Sequence, residues 1–431
     1  MFRKSMIALA ALLASAPAAA QQPAAPEPSL TAIFAGRVIT APGEPVLGLS
    51  TIIVDQGRIV SISEGRAPPA APHRAIDLSS STVLPGLIEL HSHLAGDPGT
   101  EFWREAVDSD EWSTLLGARN AHITALAGFT TVRMPGSGAE AGMALRRATE
   151  EGVIPGPRIL TSGPAISIVG GHGDVSGFRP EVIEALELGN TCTGPEECAR
   201  RVREAARAGA DFIKITATGG VLSQQARGLD LHLTEEELRA IVTTAHSLGL
   251  HVAAHAHGPR GIEAAARVGV DSIEHGTFAD EAALRAMAAN DTVFVPTLMA
   301  FVGTRDRLGT GVYTPQVEAK VREILAELGN APRRARALGV TVAFGTDAGV
   351  FEHGRNAEEL VQYVEILGMT PEQALRSATT DAAAVLDMEN EIARIAPGYS
   401  ADLIAVTGDP LADINALRDV GFVMVRGRAI E

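Results

Sequence analysis

Residues 83–94 read VLPGLIELHSHL, and the five-residue run GLIEL (86–90) is a short buried strand closed by His91 and His93. Alternation along a strand puts residues i and i+2 on one face, so the two imidazoles can converge on one metal ion. Seven further runs of this kind follow: FTTVRM (129–134), RILTSG (158–163), DFIKIT (211–216), LHVAAH (250–255), DSIEHG (271–276), TVFVPT (292–297) and TVAFGT (341–346). Amphipathic stretches separate them, among them 196–210 and 235–249, the latter opened by Thr234 with Glu237 three residues on, a capping box. Eight strands alternating with helices predict an α/β fold, a (β/α)8 TIM barrel over residues 86–390, with its active site at the C-terminal strand ends. A doubly wound open sheet is the alternative, weakened because no GxGxxG turn follows the first strand.

Chemistry falls where the barrel needs it. Lys214 sits inside the fourth strand, His255 ends the fifth, His275 ends the sixth and Asp347 follows the eighth. Taken singly, each has a plainer role: a strand-end His is commonly a hydrogen-bonded structural group, Asp347 could cap a helix, and Lys214 could pair with Asp211. Together they supply the nitrogen and oxygen donors a borderline divalent metal takes, all at one rim.

Outside the barrel both ends are β-rich. TAIFAGRVIT (31–40), STIIVDQGRIVSI (50–62) and HRAIDLSSSTVLP (73–85) precede it, with Gln56 and Gly57 marking a hairpin, and SADLIAVTG (400–408) and GFVMVRGRAI (421–430) follow. Segments 30–85 and 391–431 therefore predict a small β-sandwich assembled from both termini. Residues 1–20 carry Arg3 and Lys4, an apolar core from Met6 to Ala14 and an Ala18-Ala19-Ala20 end, the pattern of a cleaved secretory signal peptide, and residues 21–29 form a Pro-rich linker. The expected location is periplasmic or secreted.

The chain of 431 residues has 46% apolar and 20% charged residues, enough to bury a large core. Its net charge of −16, with no basic run to offset it, argues against a nucleic-acid partner. No segment is long and apolar enough to predict a membrane span beyond the leader. The two cysteines, Cys192 and Cys198, are too few for a disulfide scaffold, and export leaves both a local bridge and two free thiols open.

VLPGLIELHSHL, DFIKI, HAHG (255–258), DSIEHG and FGTDAG (344–349), continued by ATTDAAAVL (378–386) and PGYSADLIAVTGDPL (397–411), resemble the amidohydrolase superfamily. Within it the chain resembles the imidazolonepropionase-like subgroup, which includes Xaa-Pro dipeptidases, carboxypeptidase-like enzymes and ochratoxin-degrading amidases. The resemblance implies a binuclear centre: His91, His93 and Asp347 on one divalent ion, His255 and His275 on a second, and Lys214 bridging the two after N-carboxylation by carbon dioxide. Zinc is the expected metal. It further implies a metal-activated hydroxide as nucleophile, with Asp347 moving its proton to the leaving amine. His172, in GGHGD (170–174), is the candidate donor to the oxyanion or to a substrate carboxylate, against the plainer role of a turn residue. His257 stands where many relatives have Tyr, and His257 and Arg260 are candidate anchors for a carboxylate, although a solvated loop is the plainer place for Arg260. His353 follows Asp347 in the loop at the mouth.

The expected function is hydrolysis of the amide of N-acyl amino acids or short peptides with a free C-terminal carboxylate, a class that ochratoxin-type amides fit. A cyclic amide or imidazolone hydrolase on the same site is the nearer alternative. A catalytically silent binding protein is the other, and it predicts a missing ligand where none is missing. The subgroup resemblance also implies a homo-oligomer. An acidic chain acting on carboxylates needs local positive charge at the mouth, from the metals with His172, His257 or Arg260.

Overall fold

The computed structural model describes residues 30–71, 73–98, 102–138, 140–224 and 228–431. The expected leader 1–20 and linker 21–29 lie outside them. No helix among the described residues is long and apolar enough to cross a membrane.

The amino-terminal strands are β1 (Leu30–Val38), β2 (Ser50–Asp55), β3 (Arg58–Glu64) and β4 (His73–Pro85). The barrel strands are β5 (Leu87–Glu89), β6 (Phe129–Met134), β7 (Arg158–Thr161), β8 (Ile213–Thr216), β9 (Val252–Ala256), β10 (Ser272–His275) and β11 (Val293–Val295). The last three are β12 (Leu403–Val406), β13 (Val420–Val425) and β14 (Arg428–Ile430).

Strands from both ends of the chain share one sheet, ordered β14-β13-β12-β4-β1-β2-β3. The two terminal segments assemble together, as expected, through seven hydrogen-bonded strands in which β12 pairs directly with β4 (Leu403 opposite Pro85). Bulges at Ala35/Arg37 and Ile53/Val54 interrupt its register, where extra residues sharpen strand twist. Alternation sorts its side chains. Ile33, Ile52, Val54, Val83, Leu403 and Met424 form the sheet's own core, while Leu84, Ile404, Val423 and Val425 join the barrel core. The hairpin expected at Gln56 and Gly57 joins β2 to β3, and both residues have the positive φ that a two-residue turn of this kind requires.

In the barrel, β5-β6-β7 and β8-β9-β10-β11 are parallel sheets. Ile166, beyond β7, bridges to Ile215 on β8 and joins them on one side. The run expected as the eighth strand, 341–346, forms no continuous ladder. It closes the ring through single bridges, Phe294 to Val342 and Ser92 to Ala348, and through the Asp347 amide donating to the His91 carbonyl at 2.7 Å. The chain here leaves extended geometry at Asp347, whose φ is +64°, between the bridges at Val342 and Ala348. Helix Glu235–Ser247 carries the expected capping box, with the Glu237 amide donating to Thr234 and the Thr234 amide to Glu237. Helix Pro195–Ala208 begins beside a Cys192–Cys198 disulfide, so of the two cysteine states left open the structure contains the bridge.

At the opposite end of β9, His251 lies between Asp271 and Asp387, with ring nitrogens 3.2 and 2.6 Å from their carboxylates. Hydrogen bonding to Asp271 outweighs partial burial and pushes its pKa up to about 9. A folded value above the unfolded one of about 6.5 means the charged His stabilises the fold fully below that pH and ceases to as pH rises through 9. Melting temperature is therefore expected to fall between pH 6.5 and 9, and His251→Gln to flatten that slope. The pair is solvent-screened, so its contribution is under about 1 kcal/mol.

Candidate active site

Parallel register stacks the expected site residues along one rim. Thr216 pairs with His255 and Glu274 with His255, which brings Lys214, His255 and His275 to neighbouring strand ends. The imidazoles then pack ring to ring. Centroids lie 5.3 Å apart for His91 and His93, 5.0 Å for His91 and His275, 4.7 Å for His255 and His275, and 4.2 Å for His172 and His255. Asp347 Oδ1 is 3.2 Å from His93 Nε2 and 3.6 Å from His91 Nε2. Ligand atoms of His91, His275 and Asp347 all lie within 4.8 Å of one another, a group that draws on both of the expected ligand sets. Three non-glycine residues here are left-handed, His275, Thr297 and Asp347, and such backbone strain concentrates at functional sites.

The donor chemistry fits a metal centre. His91 Nδ1 donates to Glu274 at 2.7 Å, His93 Nδ1 to the Gly136 carbonyl at 3.1 Å, and His255 Nε2 to the Gly219 carbonyl at 3.2 Å. Carboxylates and carbonyls only accept, so these bonds fix the tautomers and leave the other nitrogen of each ring with its lone pair free. His275 Nδ1 shares a bond of 2.7 Å with Thr297 Oγ1. Burial, reinforced by neighbouring positive groups, holds His91, His255 and His275 well below the usual imidazole pKa, so they are neutral, as ligands must be. Burial also lowers Lys214 to about 8, against the raising effect of Glu274 and Asp347.

Beneath the imidazoles lies a layer not singled out from the sequence. Arg133, on β6, donates to Glu274 at 2.7 Å, to Ser272 at 3.1 Å and to the Leu90 carbonyl at 2.6 Å. Glu89 accepts from the His91 amide, from Thr346 and from Asn356, and burial raises its pKa to about 7. The available signal was an acidic residue inside an apolar strand, Glu89 in GLIEL and Glu274 in DSIEHG, since a buried carboxylate requires partners.

The site opens into a cavity of about 530 Å³, with His172, His257, Asn190 and Lys214 in its wall. Leu188, Val221, Leu222, Phe301, Ile324 and Val350 also line it. Ser223 Oγ lies 2.5 Å from His172 Nδ1, and buried Lys320 donates to the Gly220 and Ser223 carbonyls at 2.7 Å each, fixing the loop that carries Ser223. Gly220 lies so close to His172 that a Cβ there would overlap its ring. His257 Nδ1 is 2.8 Å from Thr277 Oγ1. Burial lowers both His172 and His257 to about 3, so neither supplies the positive charge expected at the mouth; each is a neutral hydrogen-bonding group. Arg260 is not brought to the site: it is exposed, ion-paired with Asp230 and absent from the cavity wall. His353 Nε2 donates to the Gly96 carbonyl at 3.0 Å, beside the cavity.

The amidohydrolase family profile matches residues 82–430. The chain belongs to the amidohydrolase family. It is 30% identical over 415 residues to ochratoxinase from Aspergillus niger, covering 91% of this chain and 84% of that protein. Among solved structures it is similar to a Xaa-Pro dipeptidase with methionine bound in the active site, at 36% identity and a TM-score of 0.86, covering 94% of this chain and all of that one. A prolidase complexed with N-methylphosphonate-L-proline is 32% identical, with a TM-score of 0.84, over 93% of this chain and 99% of that one. This amidohydrolase is accordingly a metal-dependent hydrolase of amide bonds on a (β/α)8 barrel, and His91, His275 and Asp347 at its rim lie close enough together to hold a metal ion.

Proposed function

We propose that this enzyme cleaves the amide bond of N-acyl amino acids or short peptides that carry a free C-terminal carboxylate, including ochratoxin-type amides. The observation that carries the reading is a set of neutral imidazoles, each turned by an outer partner, facing Lys214 and Asp347 at the foot of a cavity with apolar side chains in its wall. The names of its relatives support the substrate class: ochratoxinase, a Xaa-Pro dipeptidase and a prolidase. His91, His93, His255, His275, Asp347 and N-carboxylated Lys214 would hold two divalent ions, with zinc expected. Such ions supply a hydroxide-like nucleophile at neutral pH and polarise a carbonyl oxygen.

The protein's own groups do the rest. Asp347 takes the proton of the attacking water on a carboxylate oxygen and delivers it to the departing amine nitrogen. His172, held by Ser223, directs its outer ring nitrogen to charge developing on the carbonyl oxygen. His257 hydrogen-bonds the substrate carboxylate as a neutral donor. Loss of one proton from Lys214 leaves an amine that adds to carbon dioxide, releasing a second proton and turning a cation into an anionic bridge. The leader-like segment 1–20 supports export, and assembly into a homo-oligomer is part of the same reading.

Metal analysis of protein purified without chelators is expected to give about two divalent ions per chain. A panel of acyl-Phe, acyl-Pro, acyl-Arg and cyclic imide substrates is expected to show turnover of the acyl amino acids alone. Turnover confined to the cyclic imide would overturn the substrate reading, and full activity in metal-free protein would overturn the centre.

A further inference from the structure

A second cleft, of about 630 Å³, lies at the N-terminal end of β7, the opposite end of the barrel strands from the imidazoles. Three loops meet there: the β2–β3 turn at Gln56 and Gly57, the segment before Arg158, and the β13–β14 turn at Arg426 and Gly427. Four guanidinium groups line it, Arg58, Arg158, Arg426 and Arg428, against two carboxylates, Glu150 and Glu391. In a chain of net charge −16 this is a local reversal of sign.

These arginines differ in how far they are satisfied. Arg58 is paired with Glu391 at 3.1 Å and donates to the Gly398 carbonyl. Arg158 reaches buried Asp402 at 3.4 Å, Ser400 at 3.3 Å and Glu391 at 4.0 Å through Nη2 alone, and its buried Nε has no partner. The side chains of Arg426 and Arg428 have neither a hydrogen bond nor an ion pair among the described residues. Several arginines on the helices, by contrast, are paired within a turn, as Arg147 is with Glu151, Arg200 with Glu204 and Arg322 with Glu318. Burial and the charge of Arg158 oppose the positive charge of Arg426 more than Asp402 and Glu150 support it, a balance that an anion between the arginines shifts back. Arg426 is held in place all the same: its backbone is left-handed and its amide donates to Asp402 at 2.6 Å. Ile154, Pro155, Val425 and Ile430 give the cleft an apolar wall.

We propose that this cleft is a binding site for a phosphoryl group, gripped by Arg158, Arg426 and Arg428. Guanidinium groups offer paired N–H donors that match phosphate oxygens, and Arg426 and Arg428 keep theirs unused although Glu150 and Glu391 share the cleft. The same chemistry could come from free phosphate or from a phosphate ester whose organic part lies on the apolar wall.

Isothermal titration of the metal-loaded, full-length enzyme at constant ionic strength tests the site, with orthophosphate, pyrophosphate and adenosine monophosphate as probes and chloride as control. Saturable binding of one phosphoryl probe per chain is expected, weakened at least tenfold in the Arg426→Gln/Arg428→Gln double variant, with amide hydrolysis unchanged in that variant. Neither side chain donates a hydrogen bond within the described residues, and Arg428→Gln alone, at an exposed position, reports the same weakening if the double variant does not fold. Tighter binding of the monophosphate ester than of orthophosphate assigns the site to an organic phosphate, and equal binding to the free ion. Absence of saturable binding by all three probes overturns the proposal, as does binding that both variants leave unchanged, which would place the anion at the metal centre.

Discussion

Lys214→Ala is expected to lower amide hydrolysis by about 10³-fold or more and to strip bound metal, while circular dichroism shows the barrel intact. The side chain is buried within β8, with Glu274 and Asp347 as its electrostatic neighbours and His255 one strand away. As an ammonium group it would repel divalent ions, and as a carbamate it would hold them. Chemical rescue separates these states. A short carboxylate such as propionate, filling the space left by alanine, is expected to restore part of the activity and metal content. Rescue by a small amine in its place would show that Lys214 works as a cation and would overturn the bridging role.

Glu274→Ala is expected to destabilise the fold by about 3–5 kcal/mol and to lower the melting temperature by about 5 °C. Arg133 is almost fully buried and spends its donors on Glu274, Ser272 and the Leu90 carbonyl, so removing the carboxylate leaves an uncompensated charge in the barrel interior. The same change releases His91 Nδ1, and metal affinity should weaken about 10–100-fold. The Arg133→Ala/Glu274→Ala double variant should recover part of the lost stability but not the metal affinity, since only the stranded charge is removed. Equal melting temperatures for the single and double variants would refute the coupling.

Short-range pattern made most of the architecture legible. Apolar runs of five or six residues between amphipathic segments marked the barrel strands, the turn residues Gln56 and Gly57 marked the hairpin, and Thr234 with Glu237 marked a helix start. The assembly of both termini into one small β domain was legible, but not which strands pair: the β4–β12 junction and the single bridges of segment 341–346 join residues far apart in sequence. At the site, HxH spacing and strand-end position sufficed to find the imidazoles, Lys214 and Asp347. The layer behind them was hidden because Arg133 and Glu274 meet only across the folded barrel. Left-handed backbone at His275, Thr297 and Asp347 left no local trace, for that conformation is ordinarily signalled by Gly or Asn. Arg260 keeps the plainer role expected for it, exposed and paired with Asp230, a partner thirty residues upstream that nothing local announces.

The junction of β4 with β5 has a consequence for the order of events during synthesis. Only Gly86 separates them, so the strand that ends beside His91 and His93 continues one whose partner across the sheet, β12, begins at Leu403. The Gly86 amide itself donates to the Asp402 carbonyl at 2.9 Å. A ribosome must therefore complete nearly the whole polypeptide before the first two imidazoles gain their final support. The nascent chain lacks the sheet behind the first barrel strand until its last strands emerge.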